Sequence, residues 1–324
     1  MLLIRLLTLS VLLLATVHSR ADETPAVESP LDGNTVEGKA VEDQPAEDDA
    51  VDEKVDEKTV EAGGLKWHTD YYAAYREAAE QQRMLLVSLT SASTAAKQAA
   101  LEAYLASRPQ LREKLGAMTL FRADLDTTID VDGASRRLAD FAALSELRGG
   151  AGLAIVDLQH EGAPYYGHTV TALPFANGKY YRWSPQGLAT AIDLPAGTLT
   201  QRSLVWAVRM HPEAPQSTGG RFHAALASGA NEHASFQARV RRQGHQNFSS
   251  RFQRLSSAAG SSVTEVCAES WPGQTLMDSV VDCVASWRHS SGHWRGVSRP
   301  HRAYAYDIQR GGNGIWYATG LFAD

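Results

Sequence analysis

The chain has 324 residues, a formal net charge of −6 from 37 acidic and 31 basic residues, and only two cysteines. That length suits about two domains on a prior of ~150 residues each, and two cysteines exclude a small disulfide-stapled scaffold. The basic residues are scattered rather than gathered into a stripe, which argues against nucleic acid as a partner.

At the N-terminus Arg5 is followed by an apolar run, Leu6, Leu7, Leu9, Val11, Leu12, Leu13 and Leu14, and then by Ser19-Arg20-Ala21. Small residues three before and one before a cut after Ala21 predict a secretory signal peptide over residues 1–21, and hence a secreted or periplasmic protein. An uncleaved anchor is the alternative, but the run is shorter than the ~20 apolar residues a spanning helix needs. No later segment looks transmembrane.

Residues 22–63 hold 15 of the 37 acidic residues, no aromatic one, and a tandem Val-Asp-Glu-Lys at 51–54 and 55–58. Such a composition cannot bury enough apolar surface to offset chain entropy, so a disordered acidic linker is expected. Without it and the signal peptide the rest is slightly basic. From residue 216 onward every basic residue is Arg; its planar fork makes an anionic ligand conceivable.

Helical spacing over 67–83 (Trp67, Tyr71, Ala74, Ala78) precedes a buried strand over 84–89. A polar, Ala-rich helix over 94–107 ends before Pro109, and a second strand covers 118–124. Residues 136–147 read as a helix and 152–158 as a third strand, paired across Glu161-Gly162 with 165–170. The order helix, β, α, β, α, β, β over 64–195 resembles a thioredoxin fold, with a degenerate α/β domain of another type as the rival. Thioredoxin chemistry needs a low-pKa cysteine at a helix N-terminus. Thr90-Ser91-Ala92-Ser93-Thr94-Ala95 occupies that loop, so this domain is expected to be redox-inactive.

Residues 196–220 read as a connector, with a helix over 199–210 and a break through His211-Pro212 to Gly219-Gly220. Within 221–324, Phe222–Arg242 is helical in pattern, with Gly244 as its stop. Leu276, Val280, Cys283, Val284 and Trp287 give a second amphipathic helix. Residues 303–308 and 315–322 alternate like strands across the turn Gly311-Gly312-Asn313-Gly314.

The densest site-type chemistry lies between 244 and 294: His245, Glu265, Glu269, Trp271, Trp287, His293 and Trp294. Roughly 233–322 resembles the CAP/SCP superfamily, the secreted cysteine-rich, antigen 5 and pathogenesis-related proteins. The likeness is carried by His233-Ala234 with Gln237-Ala238, by His245 after that helix, by Ala268-Glu269-Ser270 in place of Gly-Glu-Asn, and by Trp287 with Ser290-Ser291-Gly292-His293. It implies an α-β-α sandwich with an open cleft holding His245, Glu269 and His293, Trp271 lining that cleft, and Asp278 or Asp282 as the further acid. The fold class expected for the whole is therefore α/β: a thioredoxin-like domain followed by a CAP-like sandwich.

Two histidines and a carboxylate suit a divalent metal such as Zn²⁺ with open positions, and suit a hydrogen-bonded polar cluster equally. A secreted chain favours a disulfide between Cys267 and Cys283; two buried free thiols are the alternative. Ser270 and Ser291 are candidate nucleophiles that nothing in the sequence orients. The functional expectation is a secreted or periplasmic binding or scaffold protein whose ligand is an envelope or extracellular protein, lipid or glycan. The alternative is a metal-assisted envelope hydrolase using the His/Glu/His cluster.

Overall fold

A computed structural model describes residues 59–324. The expected signal peptide (1–21) and most of the expected acidic linker (22–58) lie outside the described residues. The last residues assigned to that linker form a strand, β1 (Thr59–Ala62), which pairs antiparallel with β2 (Leu65–His68). Trp67 sits in β2 and not in the helix expected from 67. The helix, α1 (Tyr71–Glu80), starts after Asp70, whose carboxylate accepts from the Ala73 amide at 2.9 Å. That N-cap satisfies a donor that the first turn leaves free.

β3 (Leu85–Thr90), α2 (Ala95–Ala106), α3 (Pro109–Gly116) and β4 (Thr119–Asp124) follow. A small hairpin, β5 (Thr128–Val131) and β6 (Ala134–Arg137), then replaces the start of the helix expected over 136–147. The rest of that stretch makes 3-10 turns over Leu138–Asp140 and Ala142–Leu147, ending at Arg148 with φ 58°. The buried set Leu138, Ala139, Leu144 and Leu147 spreads around a helical wheel and would not share one apolar stripe. β7 (Gly152–Val156) and β8 (Thr169–Pro174) complete a six-stranded mixed sheet in the order β1-β2-β4-β3-β7-β8. β2, β4 and β3 are parallel to one another, and β7 and β8 are antiparallel additions.

Alternation along β3 shows how the sheet is covered. Leu85, Val87 and Leu89 point to α1 and the 3-10 segment, and Leu86 points to the opposite face with Leu101, Leu105 and Leu115 of α2 and α3. α4 (Pro185–Ile192) and α5 (Leu199–Met210) lie on that second face too. In α5 every residue from Gln201 to Val208 is buried, because this helix packs against β8 on one side and the next sheet on the other. The segment expected as a connector thus carries an element shared by both halves.

After β9 (Arg221–Phe222), α6 (Ala224–Val240), α7 (Phe248–Ala259) and β10 (Val263–Glu269) come α8 (Leu276–Arg288), α9 (Ser291–Ser298), β11 (Ala303–Arg310) and β12 (Trp316–Ala323). The second sheet runs β10-β12-β11-β9, with β12 antiparallel to both neighbours. Leu321 and Ala323 face Leu226, Ala230 and Leu255 of α6 and α7, whereas Phe322 and Ala318 face Val280, Trp287 and Val297 of α8 and α9. Being covered on both faces explains why β12 is buried throughout and apolar but for Thr319, whose hydroxyl is hydrogen-bonded. The protein is therefore mixed α/β, with two mixed sheets. None of the helices among the described residues is long and apolar enough to cross a membrane.

Candidate functional site

The chemistry gathers where α6 meets the edge strand β10. The inward stripe of α6 runs Leu226, Ala230, Ala234 and Ala238, and His233 and Gln237 interrupt it with buried polar groups. Gln237 is satisfied at both ends: its Nε2 donates to Thr319 Oγ1 at 3.0 Å and its Oε1 accepts from the Gly244 amide at 3.0 Å. It ties the loop after α6 to the central strand.

That loop begins earlier than the sequence suggests. Arg241, at φ 53°, ends the helix in the left-handed conformation usually filled by glycine. Gly244 lies beyond it, and its carbonyl accepts from His233 Nε2 at 2.8 Å. Asn247, at φ 57°, turns the chain into α7. Gly229 permits α7 to lie close against α6, since a Cβ there would sit 2.6 Å from Leu255. The loop so fixed covers the free edge of β10, where Gln243 Nε2 donates to the Cys267 carbonyl at 3.2 Å.

His245 stands at the rim of this loop, its side chain about half exposed (45 %). Its Nδ1 lies 3.1 Å from Glu265 Oε1 and 3.7 Å from Cys267 Sγ. The Glu265 side chain is only 1 % exposed. Arg251 of α7 holds it in a fork, with Nη1 to Oε2 at 2.6 Å and Nη2 to Oε1 at 3.1 Å. His233 Nε2 approaches the same Oε1 at 3.7 Å. Among the described residues, His233, Glu265 and Cys267 are a group of potential metal ligands whose donor atoms lie within 4.8 Å of one another. From the other side of β10, the first turn of α9 brings the half-buried His293 ring to 5.7 Å from that of His245.

The electrostatics follow from burial and partners. Burial pushes the Glu265 carboxyl up, but hydrogen bonds from His245 and Arg251, with the charge of Arg251, outweigh it and hold the group below the usual carboxylate range. Burial lowers His233, against the pull of Glu265, and burial with the neighbouring His245 lowers His293. Burial and the Glu265 charge push the Cys267 thiol well up, so it is protonated and a poor nucleophile at neutral pH.

Of the residues expected from the sequence, His245 and His293 come together and Glu269 does not join them. Glu265 takes the carboxylate position, and Glu269 lies four residues further along β10, roughly 13 Å at ~3.3 Å per residue, exposed and opposite Tyr317. Trp271 is 63 % exposed just past the end of β10, where its ring faces Lys179 Nζ at 5.7 Å and not the histidines. Asp278 accepts the Tyr180 and Tyr181 amides at 2.8 and 2.9 Å, so it fixes the segment before α4. Asp282 lies beside Tyr180, Trp271 and Gln274. Ser270 Oγ donates to the Trp271 carbonyl and accepts from the Trp316 amide, each at 3.0 Å, which leaves no base to activate it.

The expected disulfide is not formed. Cys267 and Cys283 are free and buried. Cys267 points from β10 toward α6, within reach of His233 and His245, whereas Cys283 packs in α8 with Val280 and Trp287 against the opposite face of the sheet. The sheet itself separates the two sulfurs.

From the sequence His233 stands only in the helix that carries the family likeness and Glu265 only among the site-type residues of 244–294, with the carboxylate role expected at Glu269; Arg251 has no expected role. His233 and Gln237, four apart in an otherwise small and apolar stripe, carry the signal that would have placed His233 in the site. No match to the chain is found among protein-family models, curated proteins or solved structures.

Proposed function

We propose that this is a non-catalytic binding protein of the envelope or extracellular space. In this reading a thioredoxin-like half without redox cysteines supports a CAP-like half, and the ligand enters the cleft bordered by His245 and His293. The observation that carries it is the meeting of those two histidines beside the loop that covers the edge of β10, above the buried Glu265. Layering supports the second half of the reading, since the four-stranded sheet lies between α6 and α7 on one face and α8 and α9 on the other. Strand order supports the first: three parallel strands, β2-β4-β3, followed by antiparallel β7 and β8, is the order of a thioredoxin sheet. Ser91 and Thr94 cap the 3-10 turn Ala92–Thr94 that leads into α2, where redox cysteines would stand.

Hydrolysis by a Cys/His/Glu relay is disfavoured by the geometry. In such a relay the nucleophile and the orienting carboxylate use opposite nitrogens of the imidazole. Here Cys267 Sγ and Glu265 Oε1 both address Nδ1 of His245. The expected test outcome is binding to one class in a panel of envelope proteins, lipids and glycans, lost in His293→Ala with an unchanged thermal midpoint. Turnover of peptide or ester substrates above background, with or without added divalent metal, would overturn the reading. Recovery of the full chain from the cytoplasmic fraction alone would overturn the localisation.

A further inference from the structure

We propose that the floor of this cleft is a four-donor site for a borderline transition metal of the Zn²⁺ class, built from Cys267 Sγ, Glu265 Oε1, His245 Nδ1 and His233 Nε2. The inference rests on reading the cleft as the ligand site and assigns that site a sulfur-ligated ion, with His293 standing outside the coordination sphere.

Distances carry the argument first. Zn–N and Zn–O bonds of ~2.0–2.2 Å and Zn–S bonds of ~2.3 Å place tetrahedral donors roughly 3.3–3.6 Å apart. His245 Nδ1 is 3.1 Å from Glu265 Oε1 and 3.7 Å from Cys267 Sγ, and His233 Nε2 is 3.7 Å from the same Oε1. The third edge, among His233, Glu265 and Cys267, stays within 4.8 Å. His245 stands outside the group whose donors all lie within 4.8 Å of one another, so its ring has to swing toward His233 for the four donors to close on a common centre.

Proton counting carries it next. His245 Nδ1 faces a carboxylate oxygen and a sulfur at once. Without a metal the Nδ1–H donates to Glu265, and the Cys267 thiol shares the same carboxylate, so two protons sit among the three atoms. A cation between the three atoms satisfies all of them. Binding a divalent ion M²⁺ forms an M–S bond and breaks the Cys267 S–H bond, with the proton leaving to solvent. The protons on His233 Nε2 and His245 Nδ1 move through solvent to the other nitrogen of each ring, freeing Nε2 of His233 and Nδ1 of His245 to ligate and releasing the Gly244 carbonyl. No oxidation state changes.

The surroundings are those of a supported site. Arg251 Nη1 stays on Oε2 at 2.6 Å, orienting the carboxylate so that Oε1 points inward, as outer partners of ligands do. Thr319 approaches the Cys267 sulfur, and Gln237 anchors both Thr319 and Gly244. His245 is exposed while the other three donors are buried, which gives the ion one way in. A mixed N, O and S donor set selects Zn²⁺-like ions over Mg²⁺ or Ca²⁺.

The test is titration of the purified full chain with Co²⁺ as a spectroscopic substitute, followed by X-ray absorption of the Zn²⁺-loaded wild type. One Co²⁺ per chain is expected, with the strong visible bands of a tetrahedral site and a near-ultraviolet sulfur-to-cobalt charge-transfer band. Cys267→Ser should lose that band, and Cys283→Ser and His293→Ala should keep it. Glu265→Gln should weaken uptake by more than the roughly 10–100-fold typical of outer-shell changes. The Zn²⁺ spectrum should contain a sulfur shell at about 2.3 Å, a result that needs no variant to fold. A nitrogen and oxygen shell lost in His293→Ala overturns this inference while leaving the cleft as the ligand site. Absence of uptake overturns it as well. Substrate turnover would instead count against the binding-protein reading.

Discussion

Arg202, beneath the first sheet, directs its guanidinium at the carbonyls of Val170, Ala191, Leu194 and Pro195 and at the Thr171 hydroxyl, all within 3.2 Å. Glu265, at the edge of the second sheet, is held by side chains alone: Arg251, His245 and His233. Both charges are nearly fully buried. Carbonyl partners cannot titrate or leave, and they join the ends of α4 and α5 to β8. Burial brings the Arg202 pKa down to about 10, still charged at physiological pH. The partners of Glu265 include two imidazoles, one of them reaching solvent. A buried charge is therefore a site only where its partners can exchange a proton or an ion; Glu265 meets that condition and Arg202 does not.

The comparison breaks most sharply at Arg202. Arg202→Met keeps the length of the side chain but leaves several buried acceptors without a donor, each costing about 1–3 kcal/mol before relaxation. A loss of about 3–5 kcal/mol in urea unfolding is expected. A loss below about 1 kcal/mol would mean that the carbonyls find water or other donors, and Arg202 would not be the clamp described. Ligand binding at the far cleft should be unaffected in whatever fraction remains folded.

Next in size is Arg251→Leu, which leaves the Glu265 carboxylate buried with only imidazole partners. Removing one member of a buried pair costs about 3–5 kcal/mol when the pair is isolated; two histidines remain here, so about 2–4 kcal/mol is expected. Replacing both Arg251 and Glu265 with Leu should recover most of that loss, because the uncompensated charge goes with its partner. A double variant no more stable than Arg251→Leu alone would show that packing by the Arg stem, rather than charge, is what matters.

The two regions also differ in how far the sequence foretells them. α5, α6 and α8 were legible because each has a sustained apolar stripe over three or more turns. The helix expected at 136–147 failed because its alanines and leucines favour a helix locally while the sheet face above them demands a different spacing. α7 and β10 went unassigned, since Phe248–Ala259 buries only Leu255 fully and Val263–Glu269 alternates polar and apolar residues weakly. Missing β10 misplaced the carboxylate. Glu265, Cys267 and Glu269 fall on one face by the period of two, and only the register against β12 and the loop after α6 decides which of them meets His245.

A smaller effect concerns pH. His233 and His293 both have pKa values held below the ordinary 6.5, by burial first. A depressed histidine is neutral in the fold and takes up a proton on unfolding, so its contribution is present above about pH 6.5 and is lost as pH falls below it. Glu265 acts with the same sign further down: its stabilisation is present above the ordinary carboxylate value of 4.5 and disappears as pH drops through its lowered folded value. Unfolding free energy should therefore decline in two stages on acidification. The first stage should have a slope of at most about 1.4 kcal/mol per pH unit for each histidine. His233→Gln should flatten it, and an unchanged slope in that variant would assign the effect elsewhere, for example to His211, which burial also lowers.

The smallest expected effect is that of reductant, which should be none. A bridge closing about 15 residues would constrain the unfolded chain by ~3 kcal/mol in the entropy model, and reducing it would shift the unfolding midpoint visibly. Cys267 and Cys283 instead belong to opposite faces of the second sheet, and each is buried among neighbours that give it no path to the other. Their thiols are also pushed up by burial, so neither supplies thiolate for exchange in the native state. Denaturation curves with and without dithiothreitol should superimpose. Two thiols should react with a thiol reagent in denaturant and neither in native buffer. A curve that moves with reductant, together with no reactive thiol in denaturant, would restore the bridge. It would also remove Cys267 from the floor of the cleft, leaving Glu265 and the histidines as a polar cluster without sulfur.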